Sequence, residues 1–217
     1  MILNVPAIVL SRRKVGEYDR LAVLLTETHG KLTARFGGVD RSAGKLKALS
    51  EPMACGEYRL YFSPKTQQVR VVGGQLRATW PALRRDLPRT LAALGCCEMA
   101  AQLLADRQAA GAVYRLLDDA LAAIEAGGGP WIETSFGLKL LELTGFSLRE
   151  LPVPPGEAGL WAALHDLELG EAAALPPPQA SGRRLRQTVL EHVEAHSERA
   201  LKTRLFAESL LAVPAPL

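Results

Sequence analysis

Cysteine is scarce: three in 217 residues, with Cys96 and Cys97 adjacent. That count excludes the disulfide framework of a small secreted domain and fits a protein of a reducing cytoplasm. Long apolar runs are missing too. None approaches the roughly 18 residues a membrane helix needs, so no membrane partner is expected. Residues 1–10 are apolar and Arg12, Arg13 and Lys14 come after them, the reverse of the charge order in a secretory signal.

Catalytic constellations are equally thin. Residues 38–46 mimic a phosphate loop, but the glycine spacing is one residue too long and Leu46 stands where Ser or Thr must hold magnesium. His192 and His196 lie four apart on an expected helix, with no carboxylate or cysteine placed to complete a metal site. Cys96 and Cys97 point in different directions on a helix and read as small buried residues. No nucleophile has a recognisable base, and Glu142 and Asp118-Asp119 are isolated carboxylate positions. The reading is of a protein that is not an enzyme and uses no cofactor and no metal.

What the chain does have is an uneven charge distribution. The net charge is only +3, yet residues 1–90 hold sixteen Lys/Arg against seven Asp/Glu, while residues 91–217 hold ten against sixteen. A basic front end points to a polyanion, most often nucleic acid.

The first part alternates like β structure. Leu32, Ala34 and Phe36 fall on every second position, as do Tyr58, Leu60 and Phe62. Residues 5–10, 21–26 and 69–72 are apolar runs of strand length. His29-Gly30 fits a hairpin, and Gly37-Gly38 and Gly73-Gly74 punctuate strand ends. Five strands in about 80 residues suit a closed OB-type barrel; a small sandwich satisfies the same pattern.

Near Trp80 the period changes. Asp86 is an N-cap candidate with Pro88 in the first turn, and Leu87, Leu91, Leu94 and Leu104 suggest the helix that follows. Val113, Leu116, Leu117, Ala120, Leu121 and Ile124 form one helical stripe. Residues 127–130 (Gly-Gly-Gly-Pro) break it. Phe136, Leu138, Leu140, Leu141 and Leu143 point several ways, so that helix is expected to be central, with Gly145 as its stop. Six prolines within residues 146–182 leave room for only a short helix around Trp161 to His165. Two more helices are expected at about 183–196 and 198–212. The organisation expected is α+β: a barrel over residues 1–80 and a helical domain over 81–217, with an irregular insertion at about 146–182.

The candidate polyanion-binding residues are Arg12, Arg13, Lys14, Arg20, Lys31, Arg35, Arg41, Lys45 and Lys47. Residues 41–47 make a small, cationic loop suited to lying along phosphates. Tyr18 and Tyr61 are aromatics on which bases stack in single-strand binders, although a strand aromatic is more often packed. A second basic group comprises Arg183, Arg184, Arg186, Arg199, Lys202 and Arg204. Interleaved with Glu191, Glu194 and Glu198, it reads first as a salt-bridged helix face and second as another anion site.

Residues 8–20, Ile-Val-Leu-Ser-Arg-Arg-Lys-Val-Gly-Glu-Tyr-Asp-Arg, resemble the opening strand and turn of the bacterial recombination mediator family RecO. Leu24-Leu25-Thr26, His29-Gly30-Lys31, Gly37-Gly38-Val39, residues 136–141 with Gly145, and the tail at 201–204 continue the pattern in order. The resemblance implies an N-terminal OB domain and a helical domain. It also implies a nucleoid-associated cytoplasmic protein that binds single- and double-stranded DNA and anneals strands without ATP. Such a protein acts with RecR and the single-stranded DNA-binding protein to help RecA load. Many members of the family carry a four-cysteine zinc site after the helix that Gly145 ends. Here residues 146–152 occupy that place and no cysteine follows Cys97, so a metal-free segment packed by Leu160, Trp161 and Leu164 is expected. The rival readings are a protein–protein adaptor with little DNA binding of its own and, last, a hydrolase or nuclease with an unrecognised site.

Overall fold

A computed structural model describes the chain except residues 42–45, 177–179 and 213–217. Five strands come first: β1 (Ile2–Val15), β2 (Asp19–Thr26), β3 (Gly30–Phe36), β4 (Cys55–Phe62) and β5 (Val69–Ala78). They close into a barrel in the order β1-β2-β3-β5-β4, with β4 returning to β1. All pairings are antiparallel except β3 with β5. This closure decides for the barrel over the sandwich, because a sandwich leaves the first and last strands of each sheet unpaired.

Residues 5–10 do not alternate because both faces of β1 are covered. Val5, Ala7 and Val9 point into the barrel with Leu24, Phe36, Tyr58 and Leu60. Ile8 and Leu10 point outward and are buried with the helical residues. A bulge between Val9 and Ser11 then inserts Leu10 as an extra residue opposite β2 and resets which side chains face out beyond it. The β2–β3 hairpin needs its glycine: Gly30 has φ +65°, and a Cβ there would sit 1.8 Å from the Gln108 carbonyl oxygen.

The helices are α1 (Leu87–Leu103), α2 (Gly111–Glu125), α3 (Ile132–Leu143), α4 (Ala158–Asp166), α5 (Leu169–Ala172), α6 (Ala180–Ser197) and α7 (Lys202–Ala212). Asp86 caps α1 by accepting the Arg89 N–H at 3.0 Å. The buried line of α1 runs through Ala93, Cys96, Cys97, Met99 and Ala100, while Leu87 is exposed; small residues let α2 and α3 approach closely. The α2 stripe is buried at Val113, Leu117, Ala120, Leu121 and Ile124, joined by Tyr114. Helix α3 is buried on nearly every side, from Ile132 to Leu141. Gly145, at φ +89°, ends it in a Schellman motif, with the Phe146 N–H donating to Leu141 and the Gly145 N–H to Glu142. The proline-rich segment is held by burial of Leu148, Trp161, Leu164 and Leu169.

Candidate nucleic-acid interface

The strand period divides the run Arg12-Arg13-Lys14. Arg13 pairs in register with Leu21, whereas Arg12 and Lys14 pair with the inward-facing Ala22 and Arg20. Arg13 therefore stands on the outer face and its two neighbours turn to the mouth of the barrel.

On the outer face the register builds a row that crosses four further strands. Arg13 lies beside Leu21, Leu21 beside Arg35, Arg35 beside Arg70, and Arg70 beside Tyr61. Neighbouring strands are about 4.8 Å apart, so Arg35 and Arg70 share one patch. Shallow hollows of about 510 and 350 Å³ flank Arg35, the first also lined by Arg70 and the second by Leu21. Asp19 organises this patch. Its carboxylate accepts the Arg35 Nε at 2.7 Å and Nη2 at 2.5 Å, and the Gly38 N–H at 2.8 Å. The Gly38 hydrogen bond, then that from Arg35, holds the Asp19 carboxyl below its ordinary range. About half of the Arg35 side chain remains exposed.

The mouth of the barrel is different. Arg20 is 5% exposed. It donates to Asp40 at 2.6 and 3.3 Å, to Ser50 Oγ at 3.0 Å and to Glu51 at 2.8 Å. Glu51 also receives Arg12 at 3.1 Å. The forked donors of Arg20 thus brace the segments at Asp40 and Glu51 and are almost wholly buried. Lys31 is engaged within the fold as well. Its Nζ donates to the Ala101 carbonyl at 2.7 Å and meets Asp106 at 3.3 Å, tying β3 to α1 and the residues after it. Arg41 lies over the Tyr18 ring at 5.3 Å, with both exposed. Lys14 and Lys47 are exposed as well. Lys45 falls outside the described residues.

The second basic group separates in the same way. Arg184 pairs with Glu157, Arg186 with Glu133, and Arg204 with Glu194 and Glu208. These bind α6 and α7 to their neighbours. Arg183, Arg199 and Lys202 are exposed, and no carboxylate pairs with their side chains among the described residues.

No cysteine follows Cys97, so the segment after α3 lacks the thiolates of a four-cysteine zinc site. Cys55, Cys96 and Cys97 are buried on β4 and α1 and are not part of the segment after α3. The His165 ring packs edge-on against Trp161 at 5.2 Å. His196 stacks on Phe146 at 4.0 Å, and His192 Nδ1 lies 2.9 Å from the Thr188 carbonyl, so that pair is engaged in packing. Among the described residues no group of three His, Cys, Asp or Glu is placed to hold a metal ion, and no helix is long and apolar enough to cross a membrane.

Sequence reasoning missed Arg70. It follows a glutamine-rich turn in β5, and only the parallel pairing with β3 brings it beside Arg35. Its alternation with Val69 and Val71 was the available signal.

Two family models match the chain: Recombination protein O N terminal over residues 1–77 and Recombination protein O C terminal over residues 84–150. The chain is 34% identical over 151 residues to the DNA repair protein RecO of Bifidobacterium animalis subsp. lactis, a match covering 66% of this chain and 61% of that relative. It is 29% identical over 235 residues to the protein of that name from Rubrobacter xylanophilus, covering 88% and 90%. With that of Myxococcus xanthus it shares 32% over 145 residues, covering 66% and 59%. The chain thus spans about three-fifths of the length of the first and third of these relatives.

Proposed function

The chain belongs to the RecO family, and from that premise we propose that it is a non-catalytic DNA-binding mediator of recombinational repair. The observation that carries this reading is the outer row of Arg13, Arg35 and Arg70 with Tyr61 at its end. Guanidinium groups fit phosphate oxygens in a bidentate fork, and an aromatic beside them offers a base a stacking surface. Phosphate contacts carry no base information, so the row takes single- and double-stranded DNA with little sequence preference. Two strands held on one cationic surface meet at raised local concentration, and base pairing completes annealing without ATP. RecR and the single-stranded DNA-binding protein are the partners in this reading, with RecA loaded downstream.

The test is annealing of complementary oligonucleotides, alone and coated with single-strand-binding protein, with fluorescence anisotropy of one labelled strand. Binding with faster annealing supports the reading. The adaptor reading draws on the engagement of Arg184, Arg186 and Arg204 with carboxylates; absence of strand binding at low salt would favour it.

A further inference from the structure

A cleft of about 700 Å³ opens between the outer face of β1–β3 and the surface of α1, and the link between α6 and α7 forms its far wall. Ser11, Val23 and Thr33 lie on its barrel side. Each stands two residues along its strand from Arg13, Leu21 or Arg35, on the same outward face, a step of about 7 Å. The arginine row and the cleft are therefore one uninterrupted sheet surface.

The far wall is rigidly built. Glu198 takes φ +55° at the turn, a left-handed conformation that a non-glycine residue adopts at a cost. On α1, Glu98 accepts the backbone N–H groups of Lys202 and Thr203 at 2.9 Å each and the Thr203 hydroxyl at 2.7 Å. One turn along, Gln102 donates to the Ala200 carbonyl at 3.3 Å and accepts from Ser197 Oγ at 2.9 Å. This corner presents Arg199 and Lys202 to the cleft as exposed cations. Arg12 and Lys31 also line the cleft, but Arg12 is paired with Glu51 and Lys31 with Asp106, and Glu98 is occupied by the start of α7.

Resting on the reading that the barrel carries DNA, we propose that a single strand runs from the arginine row into this cleft and that Arg199 and Lys202 hold its phosphates. The helical half is then part of the DNA path. The volume lies in the range of enclosed ligand sites, which suits a flexible single strand and leaves a duplex outside on the barrel face.

The experiment compares R199E/K202E with R35E/R70E, using oligothymidylates of about 4 and about 16 nucleotides, the span of site sizes on such barrels. The expected result for R199E/K202E is a several-fold loss of affinity that grows with strand length. The slope of log affinity against log salt should fall by about 0.7 for each phosphate that is no longer neutralised. R35E/R70E should weaken both lengths. If R35E/R70E weakens binding while R199E/K202E matches the parent, the cleft lies off the path and the proposal falls with the barrel reading intact. If neither weakens binding, both fall. If R199E/K202E instead loses only capture of an oligoglutamate peptide, the cleft is a protein site and the proposal is wrong. Both side chains are exposed; R199Q/K202Q replaces the reversal should that variant misfold.

Discussion

Arg35 and Arg70 stand side by side in the one parallel pairing of the barrel. Like charges in neighbouring strand positions destabilise a sheet by a few tenths to about 1 kcal/mol, and Asp19 offsets part of that for Arg35. The arrangement predicts opposite effects of one substitution. Arg70→Gln should raise the stability of the free protein by about 0.2 to 1 kcal/mol and weaken single-strand binding. Urea melts and anisotropy on the same preparation check both signs.

Arg20 braces and does not touch DNA in this account. Arg20→Met leaves Asp40 and Glu51 without their shared partner. The loss should be about 2 to 3 kcal/mol, toward the low end for a broken buried pair because both carboxylates stay partly wet. The salt dependence of DNA binding by the folded fraction should match the parent, whereas a direct role in holding phosphate would lower it.

His165 is buried, and neither ring nitrogen has a hydrogen-bond partner. Burial, then the nearby Arg149, pushes its pKa below the ordinary value, with Glu142 and Asp166 opposing and Lys139 adding to the shift. A depressed histidine pKa means that the unfolded chain binds the proton first. Stability should therefore be constant above the unfolded value of about 6.5 and fall as pH drops below it. His165→Phe should flatten that decline between pH 7 and 5. Asp19, Asp40 and Asp166 carry carboxyls held below their ordinary range, so their losses come at more acid pH and remain in the variant.

The three thiols should be inert while the chain is folded. Cys55 is pushed up to about 12 by burial, and Cys96 and Cys97 are raised by the same cause. Thiolate is the reactive form. Labelling by a disulfide reagent at neutral pH should track unfolding, all three sites together; rapid reaction of one site in native buffer would contradict the packing described.

Much of the fold was legible because the decisive signals are local. Asp86 and Gly145 mark the helix ends they were expected to mark, and the Val113–Ile124 stripe is buried as its spacing implies except at the half-buried Leu116. The barrel was harder, because its closure depends on β4 meeting β1, a pairing no turn announces. The site was less legible still. Arg12, Arg13 and Lys14 look alike in sequence, and only the bulge at Leu10 and the strand period send them to different faces. Arg20 could not be told from a surface arginine, since its partners lie 20 to 31 residues away.

The most direct measurement is the salt titration of single-strand affinity for the parent and for R13E/R35E/R70E. Parent affinity should fall steeply as salt rises. The variant, equally folded by circular dichroism, should bind more weakly, with a slope shallower by about 0.7 for every phosphate it fails to neutralise. Two parallel lines of equal height would show that the outer face of the barrel is not where DNA is held.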